Sequence, residues 1–152
     1  MGQIHFIGGE KGGVGKSFTA RLLAQYFIDR GQPFLGFDLD VSHGTFSRFY
    51  GEFTRALSAD DFASLDTLLT TAEALPDALI IVDLAAQTAA GLGDWIKQSD
   101  AFNLFSSLGF EVFWWHVMDD GVDALRLLEK LVDTYSQQPV HFVVVKNLGR
   151  GD

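Results

Sequence analysis

Short apolar runs and amphipathic stretches alternate along this chain. QIHFIG (3–8) is an apolar strand that runs straight into a glycine-rich turn. SFTARLLAQYFIDRG (17–31) has helical spacing, with Phe18, Leu22, Leu23 and Tyr26 assigned to one face, and Gly31 and Pro33 end it. PFLGFDLD (33–40) is a second apolar strand, closing on acid, and VSHGTFSRFYGEFT (41–54) is a turn-rich loop with room for a short helix. SADDFASLDTLLTTAEAL (58–75) opens on capping residues and carries Phe62, Leu65, Leu68 and Leu69 at helical spacing. ALIIVDLAA (78–86) is a buried strand with an acid near its end, followed by one helix over 91–109. FEVFWWHVM (110–118) is the fourth strand, DGVDALRLLEKLVDTYSQQ (120–138) an amphipathic helix, and PVHFVVVKN (139–147) the fifth strand.

Strands that alternate with helices imply a parallel sheet with helices on both faces, an α/β three-layer arrangement. The strands are near-continuous apolar runs, as strands buried on both sides should be. The pattern holds no repeat, low-complexity tract or linker. At 152 residues the chain fits one domain, 1–152. It stops a few residues after the fifth strand with no closing helix, an ending that fits the front part of a longer protein.

Composition narrows the function classes. Apolar residues make up 47%, enough for a full core, and charged residues 20%, so the chain is no disordered tail. Fourteen Phe and three Trp are a heavy aromatic load; most should be core, and a surplus would suit a partner surface. The net charge of −9 disfavours direct nucleic-acid binding. With no cysteine, thiolate zinc sites, iron–sulfur clusters and cysteine nucleophiles are excluded. No apolar run reaches the roughly 18 residues of a membrane span. The opening lacks the basic region and long apolar run of a signal peptide, and Phe6 stands where a myristoylation motif wants Ser or Thr. A cytoplasmic protein is the expectation. The four histidines show no metal-ligand spacing and read as core or surface residues. Trp114 and Trp115 should point to opposite faces of their strand.

The chemistry concentrates in GEKGGVGKS (9–17), between the first strand and the first helix. A phosphate loop needs backbone N–H groups turned toward the ligand and a helix N-terminus behind them. Gly12, Gly13 and Gly15 allow that backbone shape. Lys16 is placed to reach the β- and γ-phosphates, and the Ser17 hydroxyl to reach Mg²⁺. Yet Glu10 stands where the strict G-x-x-x-x-G-K-[ST] pattern wants glycine, and Lys11 adds a second lysine.

KGGVGKS (11–17) resembles the deviant Walker A motif of the ParA/MinD family of ATPases. The resemblance spans residues 2–149 and is most specific at 9–17. It implies a P-loop NTPase fold and nucleotide contacts along Gly12, Gly13, Val14, Gly15, Lys16, Ser17 and Phe18. It implies that Lys11 reaches across a nucleotide-sandwich homodimer to the partner's ATP, and a cation arriving so would neutralise charge on the transferred phosphoryl group. FDLDVSHGT (37–45) resembles the family's switch I, which makes Asp40 the residue that orients or activates the attacking water and places Asp38 near the magnesium shell. LIIVDLAAQT (79–88) resembles its Walker B strand, with Asp83 holding Mg²⁺ through water. Asn147 matches the strand-end Asn that contacts adenine, and the absence of a guanine-specific Asn-Lys-x-Asp favours ATP over GTP.

There are departures. Phe18 follows Ser17 where partition ATPases usually carry another hydroxyl. Switch II reads DLAAQT rather than Asp-small-Pro-Pro, and Val41 and Ser42 replace a common Pro-Gln. In these respects the chain is similar to accessory ATPases of conjugative plasmids. The resemblance implies a Mg²⁺-dependent ATPase whose dimer state selects its partners, such as a DNA-binding protein or a transfer-machinery adaptor. Two other readings stand beside it: an ATP-dependent ligase or kinase of the dethiobiotin-synthetase kind, and a module that holds ATP without turnover.

Overall fold

The computed structural model describes residues 1–9, 16–39, 54–84, 88–118 and 121–146, with the backbone alone at Lys16, Ser17, Phe18, Thr54 and Ala89. In chain order the elements are β1 (Gly2–Gly9), α1 (Lys16–Asp29), β2 (Leu35–Asp38), β3 (Thr54–Ala56), α2 (Phe62–Ala74), β4 (Leu79–Asp83), α3 (Ala89–Ser99), α4 (Ala101–Ser107), β5 (Phe110–Met118), α5 (Val122–Tyr135) and β6 (His141–Lys146). The six strands form one sheet in the order β3-β2-β4-β1-β5-β6, and every pairing is parallel.

This order explains how the helices divide. A crossover between parallel strands is right-handed, so its side of the sheet follows the direction in which the chain moves. The step from β1 to β2 runs one way across the sheet, and α1 covers one face. The steps into β4, β5 and β6 run the other way, and α2 to α5 pack on the opposite face. The buried residues bear this out. Ala20, Ala24 and Phe27 of α1 join Ile7, Ile81 and Val117 in one cluster. The opposite cluster takes Leu65 and Leu68 from α2, Leu92 and Trp95 from α3, and Phe102 and Phe105 from α4 against Phe6, Val82 and Trp114. Trp114 and Trp115 lie on opposite faces, as strand alternation requires.

Three sequence expectations need correction. The sheet has a sixth strand, β3, which starts at the last residue of the turn-rich stretch and runs just past it; three residues pair Gly36 with Thr54, Phe37 with Arg55 and Asp38 with Ala56. The expected single helix over 91–109 is two helices, broken at Asp100, which adopts a left-handed conformation (φ 55). Aspartate tolerates that region, and its Oδ1 accepts a hydrogen bond from Asn103 Nδ2 at 2.8 Å. Leu22 and Tyr26, assigned to the core face of α1, are 55% and 52% exposed. The sheet instead meets Ala20, Ala24 and Phe27, whose two alanines let the helix lie close.

Candidate functional site

The site is set by where strands end. Asp38 closes β2 and Asp83 closes β4, and the two are register partners on adjacent strands. Adjacent strands lie about 4.8 Å apart, so the two carboxylates leave the sheet side by side. The backbone fixes them there. Asp83 O accepts from Leu39 N at 2.9 Å, Asp38 O from Leu57 N at 3.0 Å, and Leu84 N donates to Ile7 O at 3.0 Å. Phe37, Leu39, Val82 and Leu84 all belong to the core under α2–α5. By alternation Asp38 and Asp83 point the other way, to the face that α1 covers. They are 1% and 0% exposed.

That face is also where α1 begins. Lys16 and Ser17 form its first turn, and no acid stands in that turn. A helix start offers unpaired N–H groups and a partial positive charge, which favour an anion. β1 is flanked by β4 and β5 and delivers the chain toward this point at Gly9. Chain direction reverses about β1, the switch point where ligands of open α/β sheets bind.

Two buried carboxylates side by side repel unless positive charge lies with them. Carboxylate and hydroxyl oxygens are the donors a hard cation prefers, so Asp38, Asp83 and Ser17 fit a magnesium ion in chemistry. Among the described residues no group of three or more His, Cys, Asp or Glu could hold a metal. A divalent ion at these acids would therefore draw on phosphate and water oxygens too, which is how magnesium is usually held. The structure thus brings Lys16, Ser17, Asp38 and Asp83 to one edge of the sheet. Lys11, Gly12, Gly13, Val14, Gly15, Asp40 and Asn147 lie outside the described residues, and Phe18 is placed by its backbone in the first turn of α1.

The histidines divide as core and surface. His5 is buried on the α1 face, stacked on Phe113 at 4.7 Å between centroids. Its Nδ1 accepts from Trp115 Nε1 at 3.0 Å, which leaves Nε2–H to donate to Gln3 Oε1 at 3.0 Å. Burial lowers its pKa to about 4, so the ring is neutral. His116 is buried on the opposite face, and His141 is exposed beside Glu111. Sequence reasoning treated the four alike, because only strand register separates them.

Comparison with known proteins agrees with this geometry. The chain is 26% identical to protein MobD of Acidithiobacillus ferrooxidans over 142 residues, covering 92% of this chain and 62% of that protein. It is 29% identical to protein TraL of Escherichia coli over 150 residues, 95% of this chain and 62% of TraL. It thus spans about three fifths of the length of these curated relatives. The fold is shared with a nucleotide-binding protein from Archaeoglobus fulgidus in complex with ADP, with a TM-score of 0.58, 14% identity, and coverage of 95% of this chain and 65% of that one. Among the described residues no helix is long and apolar enough to cross a membrane. Residues 5–151 match the CobQ/CobB/MinD/ParA nucleotide binding domain, and the chain belongs to that family.

Proposed function

We propose that this protein is a Mg²⁺-dependent ATPase that works as a dimerising switch in the transfer or segregation of plasmid DNA. The observation that carries the proposal is the pair Asp38 and Asp83, buried in register on the sheet face where α1 begins. Membership in a nucleotide-binding family supports it, and so does similarity to MobD and TraL.

The roles are those that residue chemistry and the family resemblance imply. The first turn of α1 and Lys16 bind the phosphates, supported by the backbone of Gly12, Gly13, Val14, Gly15 and Phe18. Ser17, Asp38 and Asp83 would hold magnesium, which when bound would offset phosphate charge. Asp40 orients the attacking water, and Asn147 offers an amide to adenine. Lys11 acts in trans, reaching the nucleotide of a second copy. The dimer would then present a surface to a DNA-binding or transfer-machinery protein, since a net charge of −9 is unfavourable for direct contact with nucleic acid.

Solution mass tests the switch. Light scattering with Mg²⁺ and a slowly hydrolysed ATP analogue should show the mass doubling for the wild type and not for Lys11→Ala. A wild type that binds the analogue and stays monomeric would overturn the dimer and favour a small-molecule ligase or kinase on the same fold.

A further inference from the structure

Gly91 stands in the first turn of α3 and meets backbone rather than side chain. A Cβ built there would lie 2.6 Å from the carbonyl oxygen of Ala59 and 3.3 Å from its carbon. No side chain fits that close to a backbone oxygen, so glycine is what lets α3 lie against residue 59. Gly93 on the same helix is different. Its added Cβ would meet only the Tyr135 hydroxyl, at an ordinary 3.6 Å. Glycine weakens a helix interior, so its presence at 91 has a packing reason that its presence at 93 does not.

Both sides of this contact lead back to the paired acids. Leu57, in the same turn as Ala59, donates its N–H to Asp38 O at 3.0 Å. The turn itself is braced: Ser58 N donates to Ser64 Oγ at 3.0 Å, Asp61 N to Ser58 O at 3.2 Å, and Asp61 Oδ1 caps α2 by accepting from Ala63 N at 3.0 Å. On the other side, α3 is the helix that follows Asp83, entered from Thr88, whose O accepts from Leu92 N at 2.9 Å. One turn beyond Gly91, Trp95 Nε1 donates to Asp66 Oδ1 of α2 at 2.9 Å and ties the two helices together. The turn thus hangs from Asp38, and the helix after Asp83 rests on the turn. The contact lies on the packed face, whereas the carboxylates point to the other. What it fixes is the backbone that the two faces share. A larger residue at 91 is relieved only by moving α3 or by moving the turn bonded to Asp38.

We propose that Gly91 is a positioning residue for the metal site: its close contact with Ala59 holds the backbone around Asp38 and Asp83 in the spacing that lets both carboxylates serve one divalent cation. This rests on the nucleotide-binding reading above and adds a residue that touches neither nucleotide nor metal.

Gly91→Ala and Gly93→Ala make a matched pair. Both add a methyl that favours the helix, and only the first meets a backbone oxygen. ATP affinity is titrated with Mg²⁺ and again with EDTA, and the unfolding temperature is measured without nucleotide. The ratio of the two affinities is the gain that the metal supplies. Gly93→Ala should keep the wild-type gain. In Gly91→Ala the gain should fall about tenfold, the scale for disturbing groups that stand behind metal ligands, while affinity in EDTA stays unchanged. A Gly91→Ala protein with a lower unfolding temperature and the wild-type gain overturns the inference, because the contact is then packing alone. So does a gain that falls equally in both variants. Ala59→Gly reads the same contact from the turn without adding a clash, and it should lower the gain in the same direction by a smaller factor. If Gly91→Ala does not fold and Ala59→Gly keeps the wild-type gain, the inference is overturned as well. A wild type that binds no ATP removes the proposed function and this role together, whereas a metal-dependent gain equal in wild type and Gly91→Ala removes the role of Gly91 alone.

Discussion

The two faces of the sheet divide the labour of this molecule. Under α2–α5 lies an aromatic core in which Phe6, Phe102, Phe105 and Trp114 meet ring to ring. Under α1 the cluster is smaller, with Phe27 and Phe34 its buried aromatics and Trp115 packed against it, and the buried polar groups Asp38, Asp83 and His5 share that face. The direction of the crossovers causes the asymmetry, since three of them place helices on one side. One face supplies most of the packing energy, while the other holds carboxyl groups next to a helix start. His116 is the exception, a buried polar side chain on the packed face whose Nε2 has no partner among the described residues.

The largest effect should come from the packed face. Phe102 is fully buried and meets Tyr135 at 5.1 Å and Phe6 at 6.1 Å between centroids. Phe102→Ala should cost about 3–5 kcal/mol, read as a lower midpoint in urea unfolding. A loss below about 1 kcal/mol would mean that the faces are not so unequal.

Next comes the buried histidine of the other face. Unfolded, His5 takes up a proton below its ordinary value of 6.5; folded, it resists until about 4. The unfolded state therefore binds more protons in that window, and stability falls as pH drops through it. The loss approaches about 3 kcal/mol at its lower end. Denaturant unfolding at several pH values should show a shallower acid slope for His5→Gln than for the wild type. Parallel slopes would assign the acid sensitivity to other groups.

The smallest effect should come from the outer side of α1. Leu22 and Tyr26 are exposed, and Arg30 sits over the Tyr26 ring at 5.3 Å. Leu22→Ala and Tyr26→Ala should each change stability by less than about 0.5 kcal/mol in the same unfolding assay. A loss above about 2 kcal/mol would place them in the core.

Much of this was legible in the sequence, and the failures have physical reasons. The apolar runs located the five longer strands, and strand-end acids flagged Asp38 and Asp83. Their adjacency was not legible, because it depends on β4 inserting between β2 and β1. The core face of α1 was misread because Ala20 and Ala24 are inconspicuous beside Leu22 and Tyr26, yet small residues are what a close helix–sheet contact selects. β3 was missed because three residues carry no period. The break at Asp100 left no proline or glycine to mark it. Trp114 and His116 share a face by simple alternation, but the unpartnered Nε2 is a tertiary fact.

The proposed function requires the edge formed by β1, β2, β4 and the start of α1 to bind a nucleotide with magnesium. The most direct test is a titration of wild type and Lys16→Ala with ATP in the presence of Mg²⁺. The wild type should bind saturably and Lys16→Ala should not bind at the same concentrations. Equal affinity in the two proteins would contradict it.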